Sequence, residues 1–157
     1  MNEKQLTSFK KDGYLLIESV LDVETIIDPL VAEYDYVLNR LSHELFDQGK
    51  ISSTYKNLTF MDRLIKIYQE TGRDYARYFD CSLVIKDISP ESPIWVGPAV
   101  FSILTNESIL DLVEALIGGE IYSNPVQHVR IKPPERSLPT GATGPLARAT
   151  MWHQDNG

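Results

Sequence analysis

Cysteine is almost missing from this chain of 157 residues: Cys81 stands alone. A single thiol excludes an intramolecular disulfide and any cysteine-rich zinc site, and it suits a reducing compartment. No apolar run approaches the roughly 18 residues that a membrane-spanning helix needs. The opening stretch, MNEKQLTSFKKDG, has no apolar segment of the kind that begins a secretory signal. These absences together lead us to expect a cytoplasmic protein. Basic charge is also scarce, with 15 Lys and Arg against 22 Asp and Glu and a net charge of −7. A nucleic-acid or anionic-membrane binder needs a basic footprint, so neither partner is expected. Hydrophobic residues make up 43% of the chain, enough for a globular core in one domain.

The charge is uneven. Residues 126–157 carry a net +2, leaving −9 for residues 1–125. The basic end therefore suits an acidic or phosphorylated small-molecule substrate, although an excess of two charges is also what an ordinary solvated surface carries.

Along the chain, residues 6–17 predict a helical turn, a break at Asp12-Gly13 and a short buried strand, Tyr14-Leu15-Leu16-Ile17. A long helix follows, capped by Asp22 or Asp28, with Pro29 suited to its first turn. Its apolar stripe runs Ile26, Leu30, Tyr34, Val37, Leu38, Leu41 and Leu45, and Gly49 stops it. A second helix begins near Leu58, bends at Gly72 and resumes through Tyr75 and Phe79. The rings of Tyr68, Tyr75, Tyr78 and Phe79 fall at helical spacing and read as core rather than as a ligand box. Residues 86–98 are proline-broken. A third helix spans about 106–117 and ends on Gly118-Gly119.

Residues 120–123 and 125–132 predict two strands. In the second, Gln127, Val129 and Ile131 share one face, while His128, Arg130 and Lys132 share the other. Pro133-Pro134 ends it, and a Gly/Pro/Ser/Thr-rich loop leads to a last strand at 149–155. There, Trp152-His153-Gln154-Asp155 places His153 and Asp155 on one face of a strand, with Trp152 and Gln154 on the other. An imidazole and a carboxylate so placed are two thirds of the facial triad that holds non-haem Fe(II).

Three stretches in order resemble the phytanoyl-CoA dioxygenase family of Fe(II)/2-oxoglutarate-dependent oxygenases. They are Phe9-x-x-Asp12-Gly13-Tyr14-Leu15, the helix end Ile117-Gly118-Gly119 with Gln127–Pro134 behind it, and Trp152-His153-Gln154-Asp155. The resemblance implies an α+β fold: N-terminal helices, residues 1–119, packed on the first strands of a double-stranded β-helix, residues 120–157. It implies that the chain corresponds to the N-terminal part of a dioxygenase domain, ending just after the His-x-Asp motif. The family's distal His and its 2-oxoglutarate-binding Arg have no counterpart in this sequence.

By the same resemblance, His153 and Asp155 ligate Fe(II), 2-oxoglutarate is the co-substrate, and the substrate is a small molecule, acidic or CoA-linked. Gln127, His128, Arg130, Lys132, Trp152 and Gln154 are candidates for lining the co-substrate or substrate site. The alternatives are a non-catalytic module that binds a partner or a metal without turnover, and a zinc site built from His128, His153 and Asp155. An incomplete sheet would also leave an edge exposed, so edge-to-edge self-association is expected.

Overall fold

The computed structural model describes residues 1–82, 89–124 and 127–141. These fall into two compact units, residues 1–33 with 97–124, and residues 34–82 with 89–96 and 127–141.

In the first unit, α1 (Glu3–Asp12) is fixed by reciprocal capping. The Asn2 side chain accepts from the Gln5 amide while the Gln5 side chain accepts from the Asn2 amide, each at 2.9 Å. Gly13, at φ 77°, ends it by donating to the Phe9 carbonyl, which is the left-handed stop that Asp12-Gly13 signals. The expected strand at 14–17 does not form. Tyr14 and Leu16 are 72% and 80% exposed, and no strand pairing forms at this segment among the described residues.

Asp22, the first of the two expected caps, accepts from both the amide and the hydroxyl of Thr25, at 2.8 and 2.7 Å. The turn it opens, Val23–Ile27, is a π-helix, and the Asp28 amide closes it on the Val23 carbonyl. Pro29 has no N–H for the Thr25 carbonyl, so regular α pairing cannot run through this point. The wider turn bridges it, and α2 (Asp28–Asp47) begins.

The prolines at 90, 93 and 98 mark an irregular connection in the sequence, yet Pro98 also opens a helix, α4 (Pro98–Leu104). Its free amides at Ala99 and Val100 donate to the Glu33 carboxylate at 2.7 and 3.3 Å. This is a cap supplied from the first turns of α2 rather than from the preceding residue. α4 packs on the π-turn. In α5 (Glu107–Ile117), Asn106 caps the Ile109 amide and the Gly118 amide returns to Glu114. Its apolar stripe is only half-buried.

The second unit holds the dense core. From α2 it takes Tyr34, Val37, Leu38, Leu41 and Leu45, and from α3 (Phe60–Thr71) it takes Leu64, Ile65, Ile67 and Tyr68. Thr59 caps α3, and Gly72 at φ 62° stops it. A 3₁₀ turn, Ala76–Phe79, then drives the Phe79 ring edge-on against Tyr34 and Phe60, with centroids 5.8 and 5.9 Å away. Tyr68, Tyr75 and Phe79 are core, as helical spacing implies, whereas Tyr78 is only half-buried.

One cation lies inside this core. Arg63 is 2% exposed, and its guanidinium donates to the Thr54 carbonyl at 2.8 Å, to Asn39 Oδ1 at 2.9 Å and to the Ser42 hydroxyl. Burial pushes its pKa down, with Asp35 opposing from 3.9 Å. It joins α2, α3 and the loop between them.

No β-strand occurs among the described residues, so the α+β reading and the double-stranded β-helix are overturned by a helical structure. The reason is visible in the second expected strand. Its described part, 127–134, keeps a strand's alternation: residues 127, 129, 131 and 133 are half-buried or buried, and 128, 130, 132 and 134 are exposed. What it lacks is a ladder: the Gln127 carbonyl and the Val129 amide are bound by the side chains of Cys81 and Asp80 instead. With no strand there is no sheet edge among the described residues. The last expected strand, 149–155, lies outside the described residues. No helix of the described residues is long and apolar enough to cross a membrane.

Candidate functional site

Residues 128–130, singled out by their alternation, meet one buried carboxylate. Phe79 is fully buried, so the next residue leaves the 3₁₀ turn from a fixed point. That residue is Asp80, 2% exposed, whose own carbonyl accepts from the Trp95 amide at 2.9 Å. Its Oδ1 accepts from the Val129 amide at 3.1 Å and the Ser82 amide at 3.4 Å. Its Oδ2 faces His128 Nδ1 at 3.1 Å, Arg77 Nη1 at 3.1 Å and Arg130 Nη1 at 3.7 Å. The Ser82 hydroxyl donates to Oδ2 at 3.3 Å and lies 2.8 Å from His128 Nδ1. Beside it, the Cys81 thiol donates to the Gln127 carbonyl at 3.4 Å.

Burial alone would raise the Asp80 pKa. The His128 hydrogen bond, the Val129 amide, the charge of His128 and the Ser82 amide outweigh it, and the carboxyl is held below its ordinary value. Cys81 is shifted the other way: burial and then the Asp80 charge push its thiol up, so it is a poor nucleophile at neutral pH. The arrangement is therefore a clamp. One anion gathers two guanidiniums, an imidazole and two amides, and holds residues 127–130 to the end of the 3₁₀ turn.

The clamp sets a pH dependence with a definite sign. A carboxyl with a depressed folded pKa contributes stability above its unfolded value, about 3.9, and loses it as pH falls through the folded value. His128 and Arg130 are partly exposed, so solvent screens their share. Asp80→Asn is expected to cost about 1–3 kcal/mol at pH 7. Denaturant melts between pH 7 and 3 should show the native chain losing its advantage over the variant below about pH 4. A constant difference across that range would contradict the clamp.

Of the residues expected in a site, Gln127, His128, Arg130 and Lys132 are described. The first three meet the Asp80 cluster, and Lys132 is exposed two residues farther on. Trp152, His153, Gln154 and Asp155 lie outside the described residues. Among the described residues, no group of three or more His, Cys, Asp or Glu side chains is placed to hold a metal. His128 Nδ1 is taken by Asp80 and Ser82.

Asp80, Arg77 and Ser82 were not singled out in the sequence. Asp80 follows an aromatic run at no motif spacing, and its partners His128 and Val129 are 48 and 49 positions away. The one local hint is a carboxylate placed directly after a ring whose spacing marks it as core.

No protein-family model matches this chain, and no solved structure matches it.

Proposed function

We propose that this chain belongs to an Fe(II)/2-oxoglutarate-dependent oxygenase of the phytanoyl-CoA dioxygenase type, with His153 and Asp155 as two of the metal's protein ligands. The observation that carries the reading is the His153-x-Asp155 pair following the Gln127–Pro134 segment. The donor set fits the metal: one neutral imidazole nitrogen and one carboxylate oxygen suit Fe(II) and leave room for co-substrates. Bound iron, with 2-oxoglutarate and O₂, supplies oxidative decarboxylation coupled to oxidation of an organic substrate.

The chain's own residues position. Asp80 fixes the backbone of residues 128 and 129 and leaves a local excess of positive charge, because Arg77 and Arg130 both face a single carboxylate. Arg130 and Lys132 are the residues we assign to an acidic co-substrate or substrate. Both are exposed; Arg130 lies in the segment that the clamp holds, and Lys132 is two residues beyond it.

Anaerobic titration with Fe(II) and 2-oxoglutarate, followed in the visible, tests the reading. A weak charge-transfer band is expected, and it should vanish in His153→Ala and in Asp155→Ala. No band in the unaltered chain would mean that these two ligands alone do not assemble the centre; a band that the variants keep would make the reading fail. The chain would then be better described as a module that binds a partner without turnover.

A further inference from the structure

The second unit contains a cavity of about 650 Å³ formed by α2, Tyr78 and residues 91–95. That volume lies inside the range of small-molecule sites, roughly 300–1,000 Å³. Its apolar floor is made by Val37 and Leu41, one turn apart on α2 and both buried in the core. Tyr78 and Trp95 are half-buried and supply aromatic surface. The Trp95 ring is itself steadied by Tyr36, tilted 49° at 6.0 Å.

The polar groups are unequal in sign and in availability. Glu44 and Glu91 are exposed side chains that line the cavity from α2 and from the 91–95 segment. Against them stands one guanidinium, Arg40, which lies over the Tyr36 ring at 6.0 Å. With His43 counted neutral, the described lining residues carry a net negative charge. Aromatic faces attract cations through their quadrupole, and a carboxylate adds a charge-assisted hydrogen bond. Among the described lining residues, an anion would meet two carboxylates, with only Arg40 to offset them. A divalent metal would find no set of three ligating side chains among the described residues.

We propose that this cavity binds a small organic ammonium ion, an amine carried on an apolar or aromatic body, with the body against Trp95, Tyr78 and Leu41 and the cation between Glu44 and Glu91. Tyr78 serves as a neutral hydroxyl there: burial first, then the charge of Glu44, push its pKa up, so it adds no competing negative charge. The site uses none of the residues assigned to iron, and it stands or falls separately from that reading.

Isothermal titration of the full chain with phenethylammonium, and with phenylpropionate as a body of similar size bearing the opposite charge, tests the proposal. Phenethylammonium should bind saturably at one site, with Kd below about 1 mM. Phenylpropionate should bind at least about tenfold more weakly, the difference that roughly 1.4 kcal/mol makes. The double variant Glu44→Gln, Glu91→Gln should weaken the amine about tenfold or more, at unchanged helix content by circular dichroism. If that variant loses helix, Glu91→Gln alone, in an exposed connection, replaces it and should weaken the amine severalfold. No saturation by about 10 mM amine, equal affinity for the carboxylate, or an unchanged affinity in a folded carboxylate variant would each overturn the proposal.

Discussion

Phe79→Ala is expected to remove about 3–5 kcal/mol of stability, the range for deleting a fully buried aromatic ring. The ring has no exposed surface and makes edge-on contacts with Tyr34 and Phe60. Its loss opens a cavity where α2, the start of α3 and the 3₁₀ turn converge. Since a domain's whole stability is about 5–15 kcal/mol, this one change takes a large share of it. Asp80 is the next residue, so the variant should also loosen the clamp on residues 127–130. Urea melts give the first quantity, and hydrogen exchange at the Val129 amide gives the second. Phe101 provides the contrast: it is 56% exposed, and Phe101→Ala should stay within about 0.5 kcal/mol. Similar costs for the two phenylalanines would mean that Phe79 is not the pivot of this unit.

Arg63→Ala should be nearly as damaging, at about 2–4 kcal/mol, but for the opposite chemical reason. The guanidinium binds the buried Ser42 hydroxyl and the part-buried Asn39 side chain and Thr54 carbonyl, and truncation takes the donor from all three. Removing a buried charge also removes its desolvation cost, which keeps the estimate below the sum of the lost hydrogen bonds. Arg63→Met separates the two contributions. It keeps most of the packing volume and abandons the polar groups, so it should recover about 1 kcal/mol relative to alanine. Thermal melts of the two variants side by side make the comparison. A methionine variant as stable as the native chain would show that the three acceptors are satisfied without the arginine.

Local chemistry was the legible part of the fold. Asp22 and Gly118 act where the side chain, or the lack of one, could be read in place, because a cap and its partner amide lie within about four residues. The core stripe of α2 followed from spacing alone. The strands failed for a reason that spacing cannot carry. Alternation states which side chains face inward, and 127–134 does alternate, but a strand exists only beside another strand. α1 was read as a turn because its stability comes from the Asn2–Gln5 exchange rather than from an apolar face. α4 was missed because its cap, Glu33, is 66 positions away from Ala99. Arg63 illustrates the same limit: helical periodicity by itself sends an arginine to solvent, and acceptors on Asn39, Ser42 and Thr54 turn it inward. The Asp80 cluster was half legible, since Gln127, His128 and Arg130 were marked and the carboxylate that gathers them was not.

The carboxylate at Glu33 also fixes an order of events. Seven residues beginning at a proline are too few to persist as a helix in water, where nucleation is costly and each added bond repays little. The amides of Ala99 and Val100 acquire their acceptor only once the opening turns of α2 exist. During synthesis α2 leaves the ribosome far ahead of α4, so the acceptor waits for its donors. In refolding from denaturant both are present from the start, and closing the 66-residue loop between them becomes a step with its own entropy and its own rate.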